Sequence, residues 1–226
     1  MKKYKFELHC HTYHSDGNFS PEELVLSARA AGLDGIALTD HNTSSGVAEA
    51  VYYGEKYGVL VIPGIEWTTF YGHMTVLGGH SRIDWKSVNP TTVADKIKEA
   101  HRAGDVCILA HPYRVGYPVC TGGMNEFPQE IFALIDGYEA VSEDVDTPTN
   151  RRQTEEYLQL IKQGYRIAAV YGRDWHRPSN IEYAVTELAI EGALNVENAL
   201  EAIRRGRTAI IQNDREILVT PERREV

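Results

Sequence analysis

Apolar positions along the chain switch repeatedly between a period of two and a period near 3.6, and the switches are marked by glycine, proline and capping residues. "YKFEL" (4–8) alternates and is predicted as a strand. "SPEELVLSARAAG" (20–32) is predicted as a helix: Ser20 caps it, Pro21 takes the first helical position, Glu23 completes a capping box and Gly32 stops it. A strand "GIALTD" (35–40) and a helix in "GVAEAVYYGEKYG" (46–58) follow. "VLVIPGIE" (59–66) and "HMTVLGG" (73–79) are predicted strands joined by a short connection. "TTVADKIKEAHRAG" (91–104) places Val93, Ile97 and Ala100 on one helical face, and "VCILAHP" (106–112) is a strand.

The second half continues the alternation. A Gly/Pro-rich loop (113–128) precedes a short helix "QEIFALID" (129–136), a strand "GYEAVS" (137–142), a helix "NRRQTEEYLQLIKQG" (150–164) and a strand "RIAAVYGRD" (166–174). "YAVTELAI" (183–190), "NVENALEAIRRG" (195–206) and "TAIIQ" (208–212) finish the pattern. Strand–helix alternation of this kind implies parallel strands with crossover helices. About seven such strands, with no repeat and no low-complexity linker, suit a single α/β domain over 1–226 closed as a barrel.

Composition narrows the function. The 226 residues carry a formal charge of −9 and are 42% hydrophobic, so an ordinary core is available and a grip on long nucleic acid is disfavoured. Three scattered cysteines, Cys10, Cys107 and Cys120, form neither a disulfide framework nor a C-x-x-C pair, and Cys107 and Cys120 read as structural. Lys5, Glu7 and His9 interrupt what would be the apolar part of a leader, and no run approaches ~18 apolar residues. The expectation is a cytoplasmic protein with no membrane segment.

The informative feature is where the polar residues stand. In parallel α/β folds the site forms at the carboxyl ends of the strands. There the sequence places His9-Cys10-His11, Asp40-His41, Glu66, His111 and the pair Asp174 and His176, while His73 begins the strand after Glu66. Residues i and i+2 of an extended segment share a face, so His9 and His11 can ligate one ion while Cys10 points away. Asp174 and His176 repeat that spacing. Imidazole and carboxylate suit Zn2+, Mn2+ or iron, and a carboxylate such as Glu66 can bridge two cations. Any one of these residues alone reads as an ordinary strand-end polar group, a cap or a turn. Their joint placement points to a metal site.

"HCHTYHSDG", "LTDHN", "PGIEWTT", "AHP" and "GRDWH", in that order over residues 6–176, resemble the PHP family, named for polymerase and histidinol phosphatase. "ALEAIRRGRTAI" resembles its C-terminal helix and strand. The resemblance implies a distorted (β/α)7 TIM-like barrel holding two or three divalent metals and hydrolysing phosphoesters. It implies that His9, His11, Glu66 and Asp174 hold a first metal, and that Glu66 bridges to a second completed by His111 and one further histidine. Asp16, His41 and His176 would hold a third. The position where many members carry that further histidine holds Thr75 here, so His73 is expected in its place, with His80 as the alternative. "EWTTFYGH" is also similar to a subgroup that includes hydrolases of aryl carbamate esters.

The expected activity is metal-dependent hydrolysis of a small phosphorylated metabolite or nucleotide, with Glu66, Asp174, His176 and Arg114 as catalytic residues. Two metals ~3.5–4 Å apart can polarise a phosphoryl oxygen and activate water. Their charge would outweigh Asp16, Glu66 and Asp174 and make the site cationic inside an acidic chain. Arg114 is the leading phosphate clamp, ahead of Arg177, Arg173, Arg151 and Arg152. His176 or His41 could protonate the leaving group. His14 is expected at the rim, His101 in solvent, and the 113–128 loop beside the site. The alternatives are a carbamate or carboxylic ester hydrolase on the same metals, a histidinol phosphatase, and a non-catalytic accessory module.

Overall fold

The computed structural model describes residues 1–80, 83–114, 125–143, 147–179 and 183–221. Cys120 and most of the 113–128 loop lie outside the described residues. In chain order the elements are β1 (Lys2–Cys10), α1 (Pro21–Ala30), β2 (Gly35–Leu38), α2 (Val47–Tyr57), β3 (Leu60–Thr69), β4 (Gly72–Leu77), α3 (Val93–Ala103), β5 (Val106–Ala110), β6 (Gly137–Ser142), α4 (Pro148–Lys162), β7 (Ala168–Gly172), β8 (Val185–Ile190), α5 (Val196–Arg204), β9 (Thr208–Gln212) and β10 (Arg215–Val219). Short 3-10 turns occupy Trp85–Ser87 and Gln129–Ala133, so the segment expected as a short helix at 129–136 is a single tighter turn.

The strands form one sheet in the order β10-β9-β8-β1-β2-β3-β4-β5-β6-β7. β1, β2 and β3 run parallel, as do β5, β6 and β7, whereas β4 is antiparallel to both neighbours because a tight turn joins it to β3. The sheet curls until the segment after β7 meets the end of β1. Trp175 N–H donates to His9 O at 2.9 Å and His11 N–H donates to Trp175 O at 3.0 Å. The architecture is thus the expected distorted TIM-like barrel of seven strands, extended on one side by the antiparallel strands β8, β9 and β10.

Local chemistry explains the elements. Ser20 and Glu23 make the reciprocal capping box that the sequence predicts at α1. The α4 helix begins two residues earlier than expected, since Thr147 accepts from Asn150 N–H and Pro148 fits the first turn. Glycines at +75° and +93° in φ end α2 and α3.

The barrel interior is an apolar floor. Phe6, Leu8, Ala37, Ile62, Leu77, Val106, Ile108, Ala168 and Val170 pack together with Ala199, Leu200 and Ile203 of α5. Above this floor, toward the carboxyl ends, the inward residues become polar. In β1 an irregularity between Glu7 and Cys10 shifts the register. It lets His9 follow Leu8 onto the inner side, while Cys10 joins the outer layer with α1 and β2.

β7 runs beside the extension without regular pairing, and threonine hydroxyls replace the missing ladder. Thr186 Oγ1 accepts from Tyr171 N–H (2.9 Å) and donates to Tyr171 O (3.2 Å). Thr220 Oγ1 accepts from Ala169 N–H, and Thr208 Oγ1 donates to Ala169 O. Buried backbone groups left unpaired would be costly. Thr186→Val, which keeps the shape and removes both bonds, is expected to destabilise the fold by about 1–3 kcal/mol. Urea denaturation followed by circular dichroism measures this, and an unchanged midpoint would contradict the role given to the hydroxyl.

Candidate metal centre

Glu66 is the hub. The β3 strand carries it fully buried over the apolar floor, four residues beyond Ile62. Its Oε2 lies 3.1 Å from His9 Nε2, 3.4 Å from His11 Nε2 and 2.8 Å from His41 Nδ1. Its Oε1 lies 2.8 Å from His73 Nδ1 and 3.2 Å from His111 Nε2. Five imidazoles therefore surround one carboxylate. Asp174 Oδ1 adds a second anionic corner, 2.9 Å from His11 Nε2, 3.4 Å from His9 Nε2 and 3.4 Å from His176 Nδ1. Asp16, at the more open edge, lies 3.1 Å from His176 Nε2 and 3.5 Å from His41 Nε2.

Three overlapping groups have donor atoms within 4.8 Å of one another: His9, His11, Glu66 and Asp174; His11, Asp16, His41 and His176; and His41, Glu66 and His73. The first coincides with the first metal set implied by the family resemblance. In the third, His41 stands where His111 was expected, because His41 lies between Glu66 and Asp16; His111 still touches Glu66 from the other side. His73 falls within the cluster and His80 does not. Antiparallel pairing sets His73 opposite Thr68 and Thr75 opposite Glu66, whereas His80 lies past the far end of β4, bonded to Asp105 at 3.0 Å.

The donor set fits a cation on its own evidence. His9 Nε2, both nitrogens of His11, Glu66 Oε2, His73 Nε2, His111 Nδ1 and Asp174 Oδ1 are buried without a hydrogen-bond partner among the described residues. Buried polar atoms are nearly always satisfied, and neutral imidazoles and carboxylates at this spacing are satisfied together by divalent ions. The surrounding bonds aim the rings. His9 Nδ1 meets Glu139 Oε1 at 2.7 Å, which turns Nε2 toward Glu66 and Asp174. His176 Nδ1–H donates to Asp174 O at 2.8 Å and presents Nε2 to Asp16.

Two functional carboxylates escape the sequence reading. Glu139, buried in β6, holds His9 and also accepts His111 N–H at 2.8 Å. Glu7 accepts from His9 N–H and Arg173 N–H, tying β1 to the segment after β7. The available signal was a single acid in each strand, in "YKFEL" and "GYEAVS". Asp40 is also more than a strand-end acid: it accepts Thr12 N–H, Thr12 Oγ1–H and Ser15 Oγ–H, all at 2.7 Å, and so fixes the loop that presents Asp16.

Other expectations change. Asp174 and His176 do not share an extended segment, since Asp174 has φ +52°; the turn, not alternation, brings them together. His111 likewise takes a positive φ, which turns it inward at the end of β5. His101 is not merely solvated but bonds Asp136 Oδ2 at 2.8 Å. His14 packs beside the site loop against Ser45. Arg114 ion-pairs with Asp174 Oδ2 and, at 2.8 Å, with Glu143. Arg152 lies over the Tyr113 ring, Arg151 and Arg177 are exposed, and Arg173 faces away from the cluster, between Trp175 and Tyr183.

The electrostatics follow the crowding. Burial pushes Glu66 toward protonation, but His9 and the bonded imidazoles outweigh it and hold the carboxyl well below its usual range. Burial opposes charge on His9 as well, yet Glu66 and Glu139 raise it to about 10. Burial, reinforced by His9, His176 and His41, drives His11 well below its normal value. Divalent ions bind neutral imidazole, so the proton on His9 must leave when a cation enters. Metal affinity is expected to rise from pH 6 to pH 8 with proton release. Isothermal titration in two buffers of different ionisation enthalpy measures it, and zero net release would contradict the charge state of His9. Glu139→Gln should weaken metal binding by roughly 10–100-fold.

An α/β barrel with a buried histidine–carboxylate cluster at the carboxyl ends of its strands is the framework of a metal-binding hydrolase domain. The PHP domain family profile matches residues 7–166, and the chain belongs to that family. The chain is 45% identical over 65 residues to a 5'-3' exoribonuclease of Haemophilus influenzae, a match covering 29% of this chain and 24% of that protein. It is 36% identical over 70 residues to a 3',5'-nucleoside bisphosphate phosphatase of Chromobacterium violaceum, covering 31% and 25%. These matches span about a quarter of either relative. A two-domain Bacteroides vulgatus protein containing a predicted PHP-like metal-dependent phosphoesterase shares the fold at a TM-score of 0.70 and 20% identity, over 93% of this chain and 65% of that one. No helix among the described residues is long and apolar enough to cross a membrane.

Proposed function

We propose that the protein is a metal-dependent phosphoesterase acting on a small phosphorylated metabolite or nucleotide. The observation that carries this reading is one fully buried carboxylate, Glu66, shared by two of three adjoining donor groups. Such sharing suits two or more ions held close together. Membership of the PHP family and the relatives that act on nucleotides and RNA support the same reaction class. In this reading His9, His11, Glu66 and Asp174 hold one ion, Glu66, His73 and His111 a second, and Asp16, His41 and His176 a third. The nitrogen and oxygen donors suit Mn2+, Zn2+ or Fe2+. When bound, such ions supply Lewis acidity toward a phosphoryl oxygen and a nucleophilic water near neutral pH.

The chain's own residues do the rest. Glu139 and the Asp174 carbonyl fix the rings of His9 and His176. The Asp40 clamp holds the Asp16 loop at the mouth. Arg114 holds Asp174 by Oδ2, leaving Oδ1 turned to the histidines, and places a guanidinium beside the space where a phosphoryl group would sit. His176 and His41, both at the open side, are the groups from which a leaving oxygen would take its proton.

The test is hydrolysis by protein reconstituted separately with Mn2+, Zn2+ and Fe2+ on phosphomonoesters, phosphodiesters, short nucleotides and aryl carbamates. Metal-dependent phosphate release, lost in Asp174→Ala, is the expected result. Arg114→Met should lower kcat/KM by about 10–100-fold, the loss of one charge-assisted hydrogen bond. Cleavage of the carbamates alone would replace phosphoester with carbamate hydrolysis, and inactivity with every metal would sink the enzymatic reading.

A further inference from the structure

A cavity among the described residues lies outside the metal cluster. It has a volume of about 650 Å3 and is lined by the end of α1, the outer side of β1, the segment after β7 and the β8–β9 edge. None of the histidines and carboxylates of the cluster lines it. Its size falls within the range of small-molecule sites and is larger than a lone ion needs.

Arg173 gives this cavity its chemistry. Its guanidinium carbon lies 3.9 Å from the Trp175 ring centroid and 3.8 Å from that of Tyr183. Both faces of the planar group are thus covered, and only its edge is left to donate. Nη2 is buried and has no hydrogen-bond partner among the described residues. Glu7, on the same wall, faces Arg173 electrostatically, but its Oε1 accepts from the backbone N–H groups of His9 and Arg173 and it does not bond Nη2. Among the described residues, the Lys5 ammonium on the same wall pairs with the highly exposed Asp214, at 2.9 Å. Leu33, Val185 and Ile211 supply apolar walls. A guanidinium stacked on two rings with one buried, unbonded nitrogen is preorganised to meet an oxyanion.

We propose that this cavity is a second binding site, for a small phosphate monoester with an apolar body. The phosphate meets the Arg173 edge and Lys5, and the body lies on Leu33, Val185 and Ile211. The site would be felt at the metal centre, because Arg173 immediately precedes Asp174 and the next residue, Trp175, carries the backbone bonds to His9 and His11. This inference stands on the cavity and holds whether or not the catalytic reading does.

Phenylphosphonate, which cannot be hydrolysed as an ester, is the probe. The readout is the indole N–H resonance of Trp175, one of three tryptophans, whose Nε1–H donates to Arg177 O at 2.9 Å. In metal-loaded protein the resonance is expected to shift saturably as phenylphosphonate is added. Arg173→Met should weaken binding by about ten-fold or more. Ala31→Trp, at an exposed position on the cavity wall, should block it while leaving the core and the metal cluster intact. A shift that persists unchanged in Ala31→Trp would place the probe at the metal centre and overturn the proposal. So would equal affinity in a folded Arg173→Met protein, or no saturable shift in the wild type.

Discussion

A carboxylate fully removed from water must either take up a proton or be surrounded by donors. Glu66 is ringed by imidazoles that bond its Oε1 and leave its Oε2 to a cation, and the arrangement of the barrel follows from it. Five imidazoles from β1, the ends of β2 and β5, and the start of β4 converge on its two oxygens. No single element could supply them, since side chains on one strand share a face only at every second residue. A curled sheet whose strand ends meet at one rim can. The antiparallel β4 belongs to the same solution: reversing the chain after Thr69 brings His73 back to the height of Thr68, beside Glu66.

Closure of the barrel and assembly of the centre are one event. The backbone bonds joining His9 and His11 to Trp175 are also the bonds that close the sheet, and they sit between four of the donors. Glu7 reinforces the seam by accepting from His9 and Arg173. Any change that opens the seam therefore separates Asp174 and His176 from His9 and His11. The threonines that cover the edge of β7 protect the same seam from outside, because β7 sets the starting point of the segment that reaches His9.

The donors were legible in the sequence because histidine and carboxylate are distinctive at strand ends, and strand ends can be found from alternation and punctuation. His73 is expected ahead of His80 from the sequence, but its place beside Glu66 depends on the pairing register of β4, which periodicity leaves open. The inward turn of His111 and the turn at Asp174 were hidden for a related reason: both rest on a positive φ in a residue that is not glycine. Glu139 and Glu7 carry little signal in the sequence, because a lone acid in a strand usually faces solvent. Only the assembled barrel shows that one meets an imidazole and the other the seam. The β8–β10 extension was half visible, as two strands with no role and a third unrecognised.

The strained turns have a chemical return. Holding a non-glycine residue at positive φ costs on the order of 1–3 kcal/mol. At Asp174 that conformation divides the carboxylate between two neighbours: Oδ1 faces His9, His11 and His176, while Oδ2 is held by Arg114. Glu143, also at positive φ, takes the other end of the guanidinium. A cation entering among the histidines thus finds Oδ1 turned toward it without displacing Arg114. The arginine stays at the edge of the centre as a fixed positive charge. An extended backbone at Asp174 would continue the direction of β7 instead of turning at the rim, and that division of the carboxylate would be lost.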